Sequence, residues 1–182
     1  MFSLKDIAEA VGGRLTGANV EVTSVSTDTR TLEPGALFVA LDGERFQGLD
    51  FVAEARQAGA AAVLSRQADS AHLPGLVVEN TTVALGQLAA HWRNRFDIPV
   101  IGVTGSNGKT TVKEMIAAIL AESGEVHASP GNFNNHIGVP LTLLGLREHH
   151  RFAVIEMGMS HPGEIDYIAR LTSPTTALIT NA

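Results

Sequence analysis

The octet Thr104-Gly105-Ser106-Asn107-Gly108-Lys109-Thr110-Thr111 brings two glycines, one ammonium and adjacent hydroxyls together at the close of an apolar run. That spacing suits a polyphosphate. Backbone N–H groups at a helix start point at phosphate oxygens, and the helix dipole adds partial positive charge there. Lys109 is expected to reach the outer phosphates and the Thr110 hydroxyl to bind magnesium. The general phosphate-loop pattern asks for glycine five residues before Gly108, where this chain has Val103. An ordinary strand-to-helix turn is the bland alternative, but it leaves Lys-Thr-Thr after two glycines without a reason.

Glu156 ends the apolar run Phe152-Ala153-Val154-Ile155, a position from which a carboxylate commonly reaches the magnesium of a phosphate-loop protein. The alternative is a solvated acid at a strand end. Gly131 to Pro140 is crowded with amides: Asn134 and Asn135 can orient a phosphate or a sugar, and His136 lies beside them, although turn chemistry also favours Asn and Gly. His161, between Gly158 and Gly163, is a substrate contact or, as a lone loop histidine more often is, a solvated or capping group. Nearer the N-terminus, Ser26-Thr27-Asp28-Thr29-Arg30 offers hydroxyls, a carboxylate and a guanidinium able to grip phosphate or carboxylate in bidentate fashion. A polar turn explains the same five residues. In Asp42-Gly43-Glu44-Arg45-Phe46-Gln47-Gly48, Phe46 is a candidate for stacking on a base. His149-His150 reads as an exposed turn, and neither a Ser-His-Asp order nor a metal-binding histidine cluster stands out.

These groups need a framework that holds them at strand ends. Ile98 to Val103 reads as a buried parallel strand; Val112, Met115, Ile116, Ile119 and Leu120 recur at helical spacing after the loop, with Gly124 as the stop. Leu4, Ile7, Ala8 and Val11 predict a short helix with a Ser3/Asp6 capping box and Gly12 at its end. Strands are expected from Val20 to Val25 and over Ala36–Ala40, Ala61–Leu64 and Leu76–Val78, with a helix through Phe51–Ala58. Asn80 or Thr81 caps a longer helix carrying Leu85, Leu88, Ala89, Trp92 and Phe96. Further strands are expected at Glu125–Ala128, Phe152–Met157 and Thr176–Thr180, and helices around Val139–Leu146 and Gly163–Leu171. The fold class is α/β: a small domain over residues 1–79, then over 80–182 the first part of a mainly parallel sheet with ligands at its carboxyl ends. Because the chain stops on Leu178-Ile179-Thr180-Asn181-Ala182, with no closing helix, a truncated second domain is expected.

With 182 residues, 45% of them apolar, the chain is long enough for a globular core. Net charge is -6, and residues 1–79 hold 6 Lys/Arg against 11 Asp/Glu, which argues against nucleic-acid binding. The absence of cysteine excludes disulfides, thiolate metal sites and a cysteine nucleophile. Charges lie where a signal peptide would be apolar, and no run approaches the ~20 residues of a membrane span, so the expected location is cytoplasmic.

Together, Ser26 to Arg30, Leu37 to Leu41, Thr104 to Thr111, Asn132 to Pro140, Glu156 to Ile165 and Thr180 to Ala182 resemble the Mur ligase family, the ATP-dependent amide-forming enzymes of peptidoglycan precursor synthesis. That family's shorter loop, Gly-x-x-Gly-Lys-Thr, accounts for Val103. The Asn-Asn-x-Ile-Gly-Val-Pro run favours the dipeptide-adding member, while Gln47-Gly48-Leu49 departs from the family's usual Asp-Gly-His.

The resemblance implies an N-terminal domain for a UDP-sugar peptide, a central ATPase domain and a closing C-terminal domain. It implies ATP and Mg2+ as cofactors, and UDP-N-acetylmuramoyl tripeptide and D-alanyl-D-alanine as substrates joined through an acyl phosphate. Carried onto this chain, it puts Lys109 with the amides of Gly105, Ser106, Asn107, Gly108, Thr110 and Thr111 on the phosphates, and Thr110 and Glu156 on magnesium. Ser26, Thr27, Asp28 and Arg30 fall in the UDP region, and Asn134 and Asn135 near the reacting phosphate, with Lys109, Glu156 and Asn135 as catalytic candidates. A carbamylated lysine, a histidine magnesium ligand and the adenine pocket would lie beyond Ala182, so the chain alone is expected not to turn over. The competing readings are a sibling ligase adding one amino acid, a folylpolyglutamate synthase-like enzyme, a non-catalytic nucleotide-binding module and a phosphate-loop kinase.

Overall fold

The computed structural model describes residues 2–43, 47–67 and 73–181. The chain divides into two compact units, Met1–Leu88 and Ala89–Ala182.

The first unit opens with β1 (Phe2–Ser3) and α1 (Leu4–Val11). The Ser3 hydroxyl accepts from the Asp6 N–H and the Asp6 carboxylate from the Ser3 N–H, and Gly12 ends the helix in the left-handed conformation, as the local sequence requires. There follow β2 (Arg14–Thr16), β3 (Glu21–Val22), β4 (Val25–Ser26), β5 (Leu37–Val39), a 3-10 turn (Gly48–Phe51), α2 (Val52–Gln57), β6 (Ala62–Ser65) and β7 (Gly75–Val77). The main sheet runs β2-β7-β6-β5-β4. Its pairs are parallel except β2 with β7, while β1 and β3 form a separate antiparallel pair. Strand alternation turns Phe38 and Val63 into one buried cluster with Val52 and Ala55 of α2. β2 has no counterpart in the sequence expectations. It is a three-residue strand without a buried side chain, so it carries no apolar alternation.

Asn80 starts α3 (Thr81–Arg93), its side-chain oxygen accepting from the Val83 N–H at 3.0 Å, so Asn80 and not Thr81 is the cap. Within the second unit, the Trp92 indole N–H donates to the Leu146 carbonyl at 3.1 Å, and Arg93 donates to the carbonyls of Thr172, Ser173 and Phe96.

That unit then runs β8 (Val100–Thr104), α4 (Lys109–Ala121), β9 (Val126–Ala128), α5 (Gly138–Leu144), β10 (Phe152–Glu156), α6 (Glu164–Thr172) and β11 (Thr176–Ile179). The sheet is wholly parallel in the order β11-β8-β10-β9. Crossovers between parallel strands are right-handed. The β8-to-β9 step therefore carries α4 over one face, while the return steps to β10 and then β11 carry α5 and α6 over the other. Neighbouring β8 and β10 thus send their chains to opposite faces, which opens a crevice at their carboxyl ends.

One expectation is corrected here. Apolar residues at helical spacing ordinarily imply a buried face, yet on α4 Met115 and Ile119 are 60% and 69% exposed, and the side chain fully buried among the described residues of this helix is Lys113. A second correction concerns His150, which is half-buried and not in an open turn: its ring lies 4.8 Å from that of His127 and 4.3 Å from that of His149. No described helix is long and apolar enough to cross a membrane.

Candidate functional site

The loop from Thr104 to Lys109 leaves β8 at the β8/β10 crevice. Gly105 sits at φ 132°, and a Cβ there would strike the Thr180 hydroxyl and the backbone of Asn181. Glycine alone therefore lets the end of β11 close on the loop. Thr180 Oγ1 donates to the Asn107 carbonyl at 2.5 Å, and the Ser106 N–H donates to the Asn181 carbonyl at 2.9 Å. Ser106 is thus the loop amide already engaged. Among the described residues, the N–H groups of Asn107, Gly108, Lys109 and Thr110 have no intramolecular acceptor. They are donors at a helix start, on the side where an anion is favoured.

Lys109 does not project freely in the unliganded protein. It is half-buried and folds back, with Nζ donating to the Gly105 carbonyl at 2.7 Å and to that of Ser106 at 3.4 Å. It makes no ion pair among the described residues. The ammonium is held over the loop by neutral acceptors that a phosphate can outcompete, because charge-assisted bonds are the stronger ones.

Glu156 is 2% exposed, and its carboxylate meets two neutral donors. Thr110 Oγ1 donates to Oε2 at 2.8 Å and Asn134 Nδ2 to Oε1 at 2.9 Å. Gly158 makes the second bond feasible, since a Cβ there would lie 2.9 Å from the Asn134 amide carbon. The Gly158 N–H also donates to the Asn134 carbonyl at 2.7 Å. A buried carboxylate without a cationic partner among the described residues is costly. Hard carboxylate and hydroxyl oxygens beside a polyphosphate cradle are the donor set that Mg2+ takes, with water and phosphate oxygens filling its shell. Thr110 and Glu156 therefore fit the metal the sequence implied. No group of three or more His, Cys, Asp or Glu side chains that could hold a metal ion occurs among the described residues.

The other candidates are placed differently. Asn135 Oδ1 accepts from the N–H groups of Ile137 and Gly138 at 3.1 and 2.8 Å, starting α5. His161 is exposed, and its N–H and that of Ser160 donate to the Glu164 carboxylate, holding its pKa below the usual range. Both residues do what helix starts ask of them, and neither has a bond to Glu156 or to the loop.

At the carboxyl edge of the first unit, Arg30 folds onto Asp28, 2.6 Å away, and holds the Asp28 carboxyl down to about 2. Thr29 donates to Glu54, and the Ser26 hydroxyl donates to the Asp28 carbonyl while accepting from the Asp28 N–H. Beyond the ends of β5, β6 and β7 lies a cleft of about 340 Å3 lined by Asp42, Arg66, Glu79, Asn80, Thr81 and Thr82. Arg66 Nη1 is 3.2 Å from Asp42 Oδ2, and Asp42 Oδ1 accepts from the Gly48 N–H. Sequence reasoning missed Arg66, Thr82 and Glu79 because only strand order brings them together. Phe46 lies outside the described residues.

Two family models match the chain. The profile of the Mur ligase family catalytic domain matches residues 21–93, and that of the Mur ligase middle domain residues 103–182. The UDP-N-acetylmuramoyl-tripeptide--D-alanyl-D-alanine ligase of Escherichia coli is 46% identical over 179 residues, 98% of this chain and 40% of that protein. A crystal structure of MurF from Acinetobacter baumannii superposes with a TM-score of 0.92 at 38% identity, over 98% of this chain and 40% of that one. The MurF ligase of Thermotoga maritima, solved in complex with ADP, gives 0.79 at 33% identity, over 88% and 38%. The chain thus spans about 40% of the length of the curated relatives it matches.

Proposed function

Because this chain belongs to the Mur ligase family, we propose that it is the nucleotide-gripping and substrate-holding portion of an ATP-dependent ligase. That enzyme adds D-alanyl-D-alanine to UDP-N-acetylmuramoyl tripeptide in the cytoplasm, for peptidoglycan synthesis. The observation that carries the reading is the pairing of Thr110 with buried Glu156 at 2.8 Å beside a row of unpaired loop amides.

In this account the unengaged amides of Asn107 to Thr110 and the Lys109 ammonium bind the β- and γ-phosphates and orient the outer phosphorus. A carboxylate oxygen of the peptide forms the new P–O bond as the bond to ADP breaks. The amine nitrogen of the dipeptide then forms the amide bond and expels phosphate. Thr110 and Glu156 would hold magnesium, which when bound would neutralise charge on the transferring group. Asn134 orients Glu156, and Asn135 shapes the adjoining helix start. Residues 1–79 form the UDP-substrate domain, with Ser26, Thr27, Asp28, Arg30 and the Asp42–Arg66 cleft as its polar contacts, and 80–182 the first part of the ATP-binding domain.

The experiment is calorimetry on this chain with Mg-ADP and, separately, with UDP-N-acetylmuramoyl tripeptide. The ligase reading expects both to bind; ADP binding without any binding of the UDP-sugar would favour a nucleotide-binding module instead. With all three substrates present the chain alone is expected to release no product, and ligation by it would overturn that part of the proposal.

A further inference from the structure

Lys113 is completely buried one turn after Thr110, on the same face of α4. Its Nζ donates to the Ser129 carbonyl at 2.7 Å and lies 2.9 Å from the carboxylate of Glu114, itself largely exposed. Ser129, 2% exposed at the end of β9, is held on all its polar atoms. Its N–H donates to the Val154 carbonyl at 3.0 Å, its carbonyl accepts from Lys113, and its hydroxyl accepts from the Glu156 N–H at 2.9 Å. A strut therefore runs from the phosphate-loop helix through Ser129 to the backbone of the very residue that Thr110 faces.

Burying an ammonium is unfavourable, and an apolar side chain of similar volume commonly serves packing as well or better. A need for helix packing alone does not explain a lysine here. We propose that Lys113 and Ser129 are positioning residues that fix Glu156 against Thr110, so that carboxylate and hydroxyl stand ready for one divalent cation. The inference rests on the nucleotide reading above. Lys113 touches neither phosphate nor metal in this role; it fixes the distance between two elements, α4 and β10, that each contribute one ligand.

The test is the affinity of the 182-residue chain for ADP, measured by calorimetry with magnesium and with EDTA, for the native protein, Lys113→Met and Ser129→Ala. The native chain is expected to bind ADP at least about tenfold more tightly with magnesium, a difference of about 1.4 kcal/mol. Both variants are expected to lose most of that gain while keeping their EDTA affinity within about twofold, at a melting temperature close to native. A purely structural role would lower both affinities together or neither, and either result overturns the strut. If Lys113→Met does not fold, Ser129→Ala decides: it keeps the carbonyl that Lys113 uses and removes only the hydroxyl that holds the Glu156 N–H. A native chain with no magnesium gain sinks the nucleotide reading and the strut together. A native gain with unaffected variants sinks the strut alone.

Discussion

At the carboxyl edge of the first sheet, Asp28 and Asp42 are each held by an arginine, whereas at that of the second, Glu156 is buried against a hydroxyl and an amide. Both edges are built from parallel strands and carry the same kinds of side chain. In the first unit the charges satisfy one another in water, so the edge is stable as it stands, and an anion would bind there only after Arg30 or Arg66 changed partner. The second unit keeps a charge desolvated and leaves loop amides unpaired, so binding a cation and a polyphosphate relieves what folding left unfavourable. Preorganisation is the property that separates them.

The largest effect that would break this contrast is expected at Lys109. Lys109→Ala should weaken ADP binding about 100-fold, roughly 3 kcal/mol, by removing charge-assisted bonds to phosphate. The fold should stay intact, because its bonds in the free protein go only to loop carbonyls. Unchanged affinity by calorimetry would erase the distinction between the edges. Glu156→Gln comes next: the magnesium-dependent part of ADP affinity should disappear, and the melting temperature should hold or rise because a buried charge is gone. A marked fall in melting temperature would mean that the carboxylate serves the fold.

An intermediate effect concerns acid. Burial first, then the charges of His127 and His149, depress the His150 pKa from 6.5 to about 4, and burial also lowers that of His127. The neutral ring is favoured in the folded state, so on acidification the unfolded chain takes up the proton first. The stabilisation is complete above about 6.5, shrinks as pH falls and is gone below about 4. Melting temperature should therefore drop across that window, and His150→Phe should flatten the slope; an unaltered slope would clear the imidazole cluster of the effect. The smallest effect is expected for Arg30→Ala, which removes an exposed pair and should leave melting and ADP affinity as they were while weakening UDP-sugar binding. A loss of ADP affinity in that variant would contradict the division of labour between the edges.

What the sequence disclosed follows the range of the interaction. The Ser3–Asp6 capping box, the Gly105–Thr111 loop and the alternating strands and helices are written in residues a few positions apart, and they stand where the periodicity put them. Glu156 was legible because an acid ending an apolar run is a local signal. Lys113 was not: helical spacing assigns a lysine to the outside and Met115 and Ile119 to the inside, and here the carbonyl of Ser129, sixteen positions away, reverses that order. The Arg66–Asp42 cleft was hidden for the same reason, since strand order and not spacing joins its walls. Asn135 showed the opposite limit: its amide oxygen accepts from the nearby N–H groups of Ile137 and Gly138, a use that turn chemistry favours as readily as a ligand contact.

The most direct measurement is the backbone amide NMR spectrum of the chain titrated with Mg-ADP. Shifts concentrated at Gly105 to Thr111, with Asn134 and Glu156 following and Thr27 to Arg30 unmoved, are the predicted result. Saturable shifts centred on the first sheet's edge, or none at the loop, would contradict the claim that this crevice grips the polyphosphate.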